Sequence, residues 1–137
     1  MKVSEMMSHN VCVVAPADTL SHAAMLMADH DVGSLPVGED DRLVGFLTDR
    51  DIAVRAVARG LGSDALVQDV MSSEVKYCFE DDDVDDVAMN MADLEVRRLP
   101  VVNRDKRLVG IVSLGNFAQC GERRASQDLL EGVAARH

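Results

Sequence analysis

The chain has 137 residues, 47% of them hydrophobic, and a formal net charge of −10 at pH 7. This length suits one compact domain or two small halves that share a core. The acidic balance argues against a general binder of nucleic acid or of anionic membranes, because phosphate groups favour Lys and Arg. A small phosphorylated ligand is not excluded, since it needs only two or three local cations. No run of about 18 apolar residues is present to span a bilayer.

Cysteine and histidine usage favours a cytoplasmic protein without an obligatory cofactor or metal. The three cysteines are odd in number and lack metal-ligand spacing, so we interpret them as reduced, mostly buried thiols. They are Cys12, Cys78 and Cys120. The four histidines form no ligand pair. The polar residues Ser4 and Glu5 come soon after Met1-Lys2, so no signal peptide is expected.

Residues 1–63 predict a leader followed by strand, helix, strand, strand and helix. Asp18-Thr19 offers an N-cap to a run with helical spacing, and Gly33 is expected to break this helix. Polar residues at 38–41 predict a hairpin turn. The strands are expected at Val11–Val14, from Ser34 to Val37 and at Arg42–Leu47, and the helices at Leu20–His30 and from Asp51 to Gly60.

Residues 64–137 predict the same order and end in a longer helix. Four acidic residues at 80–83 precede its first helix, and we interpret them as complementing the helix dipole rather than as a metal site. The strands are expected at Val75–Phe79, Leu99–Asn103 and Arg107–Val112, and the helices at Val84–Leu94 and from Leu114 towards Leu130. The tail from Gly132 is expected to fray.

The two halves are copies of each other. Sliding the chain along itself aligns Met7-Ser8 with Met71-Ser72, an offset of 71 − 7 = 64. The same offset places Leu35-Pro36-Val37 on Leu99-Pro100-Val101, and after one inserted residue Leu43-Val44-Gly45 falls on Leu108-Val109-Gly110. A register held this long indicates a tandem repeat, which dictates the architecture.

Each copy carries a polar turn where an apolar strand meets a helix. Thr48 and Asp51 are three residues apart in the first copy, and Ser113 and Asn116 replace them in the second. Such a hydroxyl and side-chain oxygen can bind one small ligand together. They can also cap the helix, since these oxygens accept from the first free backbone N–H groups. Both interpretations stay open, and recurrence of the pair in both copies favours binding.

The repeat resembles the CBS domain, and the two copies together resemble a CBS pair, or Bateman module. The resemblance covers about residues 3–120 and is carried by the tandem copy, by Leu-Pro-Val in each copy and by both Gly-x-x-[Thr/Ser]-x-x-[Asp/Asn] turns. It implies an α/β (α+β) fold of two pseudosymmetric β-α-β-β-α repeats packed sheet to sheet. One repeat would be residues 1–63, with the leader and linker, and the other residues 64–137, with the C-terminal helix.

The resemblance implies a regulatory module that senses an adenine nucleotide, not an enzyme. Family members bind adenosine-containing ligands such as AMP, ADP, ATP, NAD or S-adenosylmethionine in the crevice between the repeats, and transmit binding as a conformational change. In the family the Asp of the turn takes the ribose hydroxyls. The chemistry fits, because a carboxylate accepts from both hydroxyls of a cis-diol in charge-assisted bonds.

The resemblance also implies that each turn shares a crevice with strands of the other repeat. The turn of Thr48 would face Val75–Phe79 and residues 96–100, and that of Ser113 would face Val11–Ala15 and residues 33–34. The expected contacts are Thr48, Arg50, Asp51, Tyr77, Val96, Arg97, Arg98 and Pro100 in the first crevice, and Gly33, Ser34, Ser113 and Asn116 in the second.

The first crevice is expected to be the better nucleotide site. It has the ionised Asp51, where the second has the neutral Asn116, and Arg98 can bind a phosphate bidentately. Tyr77 can pack on a purine ring. The alternative for the two arginines is a solvated charge pair with Asp93 or Glu95.

Two other classes of function compete with this interpretation. An enzyme is not expected, since the sequence shows no Ser-His-Asp order, no Cys beside a His and no Walker-type phosphate loop. The other is a ligand-free dimerisation module, for which Met25/Met27 and Met89/Met91 could supply an interface, although methionine at helical spacing more often belongs to a core. For the nucleotide sensor and for the ligand-free module alike, a homodimer is expected, since the family pairs modules through helix faces. An unidentified protein partner is also expected.

Overall fold

A computed structural model describes residues 1–119 of the chain. Cys120, His137, the extension of the last helix towards Leu130 and the tail from Gly132 lie outside the described residues. The chain forms two compact units. We call Cys12–Val75 the amino-terminal unit, and Met1–Val11 together with the chain from Lys76 onward the carboxy-terminal unit. The mixed α+β fold with two sheets agrees with the predicted class.

The amino-terminal unit begins with helix α1, Leu20–His30, which has the predicted bounds. Thr19 caps it, because its side-chain oxygen accepts a hydrogen bond from the backbone N of His22 at 3.1 Å. The helix ends at Asp31, which adopts the left-handed conformation with φ 52° and ψ 49°. The prediction that Gly33 breaks the helix is therefore wrong by two residues, since an Asp can itself adopt this conformation.

A hairpin follows, made of strands β1, Ser34–Glu39, and β2, Arg42–Thr48. They pair antiparallel across Asp40 and Asp41, both with positive φ, as a two-residue hairpin turn demands. A bulge interrupts the register between Val37 and Gly38.

The predicted strand Val11–Val14 is reduced to one bridge, in which Val14 pairs with Val37 in parallel. The backbone N of Val14 donates to the carbonyl of Pro36 at 3.2 Å, and that of Gly38 donates to the carbonyl of Val14 at 2.9 Å. Extending the ladder towards residue 12 would require a donor at the nitrogen of Pro36, and proline has none. The parallel pairing is therefore limited to the single bridge between Val14 and Val37.

The helix predicted from Asp51 begins two residues earlier and is irregular. Helix α2, Asp49–Asp51, continues as a π-helical turn at Ile52–Ala56 and a 3-10 turn at Val57–Arg59. Gly60 ends it with φ 78°, as predicted.

The carboxy-terminal unit contains a three-stranded sheet in the order β3-β4-β5, with β3 Cys78–Phe79, β4 Arg98–Val102 and β5 Leu108–Ser113. Strand β3 is parallel to β4, which is antiparallel to β5. The predicted strand Val75–Phe79 starts only at Cys78, because Pro100 in β4 repeats the missing donor of Pro36. Helix α3 covers Val84–Leu94, as predicted, and α4 covers Leu114–Gln119.

We call the segment that precedes each repeat its leader, residues 1–11 for the first and 64–75 for the second. Each leader packs on the other repeat. In the carboxy-terminal unit, Ser8 exchanges two backbone hydrogen bonds with Ile111, at 2.8 and 3.0 Å. In the amino-terminal unit, Ser72 does the same with Phe46, at 2.9 Å in both directions. In these compact units, residues 1–11 and 64–75 each group with the other half of the sequence.

A methionine of each leader packs closely against a glycine in the strand with which that leader pairs. A Cβ atom on Gly110 would lie 2.5 Å from Sδ of Met7, and one on Gly45 would lie 2.6 Å from Sδ of Met71. Only a residue without a side chain allows this approach, which explains the glycine that both copies share in the strand before the polar turn.

The core of each unit is mainly aliphatic, with Phe117 also buried in the carboxy-terminal unit, and it includes one methionine of α1 or α3. Met27 is 7% exposed and Met91 is fully buried. Their neighbours Met25 and Met89 are 51% and 55% exposed. The core interpretation thus holds for one methionine of each helix, while the other lies on the surface.

Candidate functional site

The polar turn of the amino-terminal unit lies where β2 passes into α2. The side-chain oxygen of Thr48 accepts a hydrogen bond from the backbone N of Asp51 at 3.0 Å, and Oδ2 of Asp51 accepts from the backbone N of Thr48 at 3.0 Å. This is a reciprocal capping box. The capping interpretation is therefore confirmed, and the question becomes what acceptor capacity the turn retains.

Asp51 keeps one oxygen outside the cap. Its Oδ1 lies 3.9 Å from Nε of Arg55, which is too long for a hydrogen bond. The Asp51 side chain is 18% exposed, so water or a ligand can reach it. Arg55 itself donates to the carbonyl of Val70 at 3.4 Å. Sequence analysis missed Arg55, although its spacing of four residues from Asp51 on a helix was the available signal.

Gly33 and Ser34 lie beside this same turn. Ser34 is the register partner of Thr48 in the hairpin, and the backbone N of Asp49 donates to the carbonyl of Gly33 at 2.9 Å. A Cβ atom on Gly33 would lie 3.0 Å from Oδ2 of Asp49. The glycine therefore allows the turn to approach the start of β1, and Arg50 is exposed at its surface.

The polar turn of the carboxy-terminal unit is bonded differently. Oδ1 of Asn116 accepts from both the backbone N and the hydroxyl of Ser113, at 2.9 and 3.0 Å. Nδ2 of Asn116 donates to the hydroxyl of Ser8 at 3.2 Å. Asn116 is only 8% exposed. Sequence analysis missed Ser8, which lies 108 positions away and carries no local signal of this contact.

The predicted phosphate-binding arginines lie beside this second turn, within the hairpin formed by β4 and β5. Arg98 is the register partner of Ser113, and the backbone N of Leu114 donates to the carbonyl of Arg97 at 3.3 Å. Arg98 is half-buried and Arg97 exposed. Val96 packs against the core of the unit, and Pro100 is buried.

Tyr77 belongs to a polar and aromatic cluster that sequence analysis did not foresee. Its ring meets that of Phe79 edge to face, with centroids 5.7 Å apart, and the guanidinium of Arg104 lies 4.1 Å from the centroid of Phe79. Arg104 also forms a bidentate ion pair with Asp81, at 3.1 and 2.8 Å. The hydrogen bond from Arg104 holds the pKa of Asp81 below its usual value.

The prediction that Thr48 and Asp51 share a site with Tyr77 and Arg98 joins residues of different units, and it stays a prediction. The structure does bring Gly33 and Ser34 to the first turn, and Arg97 and Arg98 to the second.

The thiols and acidic groups show no metal-binding arrangement in the part of the chain described. Burial raises the pKa of the thiols of Cys12 and Cys78 above the usual value. Among residues 1–119, no three His, Cys, Asp or Glu side chains are grouped to hold a metal ion. Over the same range, no helix has the length and apolar character to traverse a membrane.

A family model for the CBS domain matches the chain twice, over residues 3–57 and 67–120. The chain therefore belongs to the CBS-domain family and carries two copies of the domain, as its resemblance indicated. CBS pairs are regulatory modules.

Similar proteins match over most of their own length. The CBS domain-containing protein YhcV of Bacillus subtilis is 42% identical over 116 residues, which cover 85% of this chain and 82% of that protein. Hypoxic response protein 1 of Mycobacterium tuberculosis is 37% identical over 117 residues, which cover 84% and 81%.

Solved structures of similar fold contain different ligands. A crystal structure of Hypoxic Response Protein I with two coordinated zinc ions has a TM-score of 0.78 at 36% identity, covering 87% of this chain and 98% of that one. CBSX2 in complex with AMP has a TM-score of 0.78 at 26% identity, covering 90% and 97%. The CBS domain pair of protein MJ0100, with 5′-methylthioadenosine and S-adenosyl-L-methionine, has a TM-score of 0.75 at 26% identity, covering 90% and 98%.

Proposed function

We propose that this protein is a regulatory module that binds an adenosine-containing ligand and reports it to a separate protein by a change of shape. AMP is the first candidate, with ATP and NAD next. Two similar structures that hold AMP or S-adenosylmethionine support this class of ligand. The observation that carries the proposal is Oδ1 of Asp51, which lies outside the cap formed by Oδ2 and whose neighbour is the ion-paired Arg55, with Nε at 3.9 Å, beyond hydrogen-bond distance.

The ribose is proposed to bind at Thr48 and Asp51. A cis-diol presents two hydroxyl donors, and a carboxylate has about four lone-pair sites. The cap fills one of them, from the backbone N of Thr48. The remaining acceptors can take both hydroxyls, and bonds to a charged acceptor are the strong ones. The turn is also held rigid by its own reciprocal bonds, so little conformational freedom is lost on binding.

The rest of the ligand is assigned by the resemblance and by charge. Arg50, Arg97 and Arg98 are the proposed phosphate contacts, because guanidinium groups suit phosphate geometry. Tyr77, Val96 and Pro100 are proposed to contact the purine. Gly33, Ser34, Ser113 and Asn116 are proposed to line the second crevice, where Asn116 brings no charge for a ribose diol.

Regulation is proposed to follow from differential binding. A ligand that binds one arrangement of the protein more tightly shifts the population towards that arrangement. A homodimer is proposed, together with an unidentified protein partner that reads the change.

The test is isothermal titration of the protein with AMP, comparing wild type, Asp51→Ala and Asp51→Asn. Loss of a charge-assisted hydrogen bond should weaken AMP binding by at least about 1.5 kcal/mol, or more than tenfold. Asp51→Asn keeps the cap, as Asn116 does in the second repeat, so its loss of affinity cannot be attributed to a disrupted helix start.

Asp49→Ala is the matched control, because Asp49 is an exposed carboxylate of the same turn whose Oδ1 accepts only the neighbouring backbone N of Arg50 at 2.8 Å among its described hydrogen bonds. Its AMP affinity should stay within about threefold, since exposed charges contribute little. Equal affinity of Asp51→Asn and wild type would contradict the proposed ribose contact.

A ligand-free interaction module is the second candidate, favoured by the exposed methionines. Met25 and Met89 occupy the same position in the two repeats and are each about half exposed, at 51% and 55%. Exposed methionine suits an adaptable protein interface. Absence of heat with AMP, ADP, ATP, NAD and S-adenosylmethionine in turn would favour this second function.

A further inference from the structure

The orientation of the Asn116 amide is fixed by the backbone. The N–H of Ser113 points at the Asn116 side chain, with a donor–acceptor distance of 2.9 Å. A backbone N–H is always a donor, so the atom that faces it has to be the carbonyl oxygen. The hydroxyl of Ser113 donates to the same oxygen at 3.0 Å. Both lone pairs of Oδ1 are therefore occupied.

The amide nitrogen consequently points the other way, to Ser8. Asn116 is 8% exposed, and a buried NH₂ group needs an acceptor. The hydroxyl of Ser8 supplies one at 3.2 Å. Ser8 is itself held by the two backbone hydrogen bonds between the leader and Ile111 in β5.

The counterpart of Ser8 makes no matching contact with its own turn among the described hydrogen bonds. Ser72 occupies the equivalent leader position and pairs with Phe46, but its hydroxyl donates to the carbonyl of Glu74 at 3.5 Å. Asp51 consequently keeps an oxygen that is not bonded to its leader, with Arg55 at 3.9 Å. The leaders are alike in backbone pairing and different in side-chain contact.

We propose that Ser8 is a positioning residue that closes the second turn to ligand by fixing the Asn116 amide, so that one adenosine ligand binds per chain, at Asp51. The proposal rests on the proposed function. It goes beyond that proposal because it explains the inequality of the two turns by a contact as well as by charge. A ribose diol needs acceptors, and the locked amide offers it none.

The first experiment is titration with AMP of the wild type and of the double variant Ser8→Ala/Asn116→Asp. The wild type should bind one AMP per chain. The double variant should bind a second, weaker AMP, because the new carboxylate keeps one oxygen on Ser113 and no longer faces a serine hydroxyl. Asn116→Asp alone should gain less, since the Ser8 hydroxyl can turn and donate to the new oxygen. Two equal sites in the wild type, or no second site in the double variant, would overturn the proposal.

A second readout does not depend on ligand. The side-chain amide of Asn116 gives a pair of NMR signals, whose shifts and exchange with solvent report the hydrogen bond to Ser8. Ser8→Ala should shift these signals and speed their exchange at least tenfold. Ser72→Ala, the matched control, should leave them unchanged. Unchanged signals in Ser8→Ala would overturn the positioning role.

The AMP titration and the NMR measurement together distinguish failure of the proposed function from failure of the proposal about Ser8. If the wild type binds no AMP while Ser8→Ala still shifts the Asn116 signals, the proposed function fails and the positioning of Asn116 by Ser8 stands. If the wild type binds two AMP molecules per chain, the proposed function stands and the closing of the second turn fails.

Discussion

Cys78 shows how burial sets the chemistry of a single residue. Its thiol is 3% exposed, and this desolvation, followed by the negative charge of Asp82, raises its pKa to about 12. In the unfolded chain a thiol ionises near pH 8.5. The folded state therefore binds the proton more tightly, and the resulting stability is fully present below about pH 8.5 and is lost as the pH rises towards 12.

We expect the wild type to lose about 1.4 kcal/mol of unfolding free energy per pH unit through Cys78 between about pH 9 and pH 11. Urea unfolding at pH 8 and pH 10 measures this loss, and Cys78→Ala should lack that part of the slope. Equal slopes in the two proteins would show that Cys78 is not held neutral.

The residues of the polar turns show what sequence reasoning can find. Thr48, Asp51, Ser113 and Asn116 were identified because the repeat displays them twice at one spacing. Their unequal bonding was not, because it depends on Ser8, whose position in space is set by backbone pairing 108 positions from Asn116. A charge difference can be read from a sequence, whereas this difference in hydrogen bonding cannot.

At the scale of elements, the packing of the leader on β5 leaves no room for a methyl group at Gly110. A Cβ atom on Gly110 would lie 2.5 Å from Sδ of Met7 and 2.9 Å from the backbone oxygen of Ser8. The sulfur can turn aside, but the backbone oxygen is held by its pairing with Ile111. Gly110→Ala should therefore destabilise the protein by about 1–3 kcal/mol, the usual effect of overpacking.

Gly115→Ala is the control for this substitution. Among the described residues its Cβ would meet the hydroxyl oxygen of Ser113 at 3.7 Å, an ordinary contact, and it lies in helix α4. Alanine favours helix over glycine by up to about 1 kcal/mol, so this variant should be as stable as wild type or more so. Urea midpoints of the two variants decide the matter, and an unchanged midpoint for Gly110→Ala would show that the leader is not seated there.

The elements differ in how far sequence could define them. Helices α1 and α3 have the predicted bounds, because caps and apolar spacing are local properties of the chain. The strands at Val11–Val14 and Val75–Phe79 were predicted too long. A strand needs donors on its partner, and the partners carry Pro36 and Pro100, which sequence inspection could not pair with them.

The whole molecule is defined by the exchange of leaders. Val3 and Val67 occupy equivalent leader positions and are both fully buried, Val3 in the core with Val101 and Val112, and Val67 in the core with Val37 and Leu47. Val3 therefore stabilises the unit that contains β4 and β5, and Val67 stabilises the unit that contains β1 and β2.

We expect Val3→Ala and Val67→Ala each to cost about 2 kcal/mol, through lost burial and the cavity left behind. Native-state hydrogen exchange should show reduced amide protection first in β4 and β5 for Val3→Ala, and first in β1 and β2 for Val67→Ala. Each variant serves as the control for the other. The reverse pattern would show that each leader belongs to its own repeat.

The repeat, the family and the mixed α+β class were predictable, because an internal copy is visible in the sequence itself. The exchange of leaders was not. The leader of the first repeat has the same apolar pattern as that of the second, so nothing in the sequence distinguishes which core it enters.

Pairing of a leader with a distant hairpin also sets the order in which the protein can be completed during synthesis. Phe46 and Ser72 are 26 residues apart (72 − 46), whereas Ser8 and Ile111 are 103 apart (111 − 8). The longer loop costs about 1.2 kcal/mol more to close, since each doubling of loop length adds about 0.6 kcal/mol. Chains emerge from the ribosome amino terminus first. We therefore expect the amino-terminal unit to close as soon as residue 75 has emerged, while Val3, Met6 and Met7 stay uncovered until strand β5 has been made.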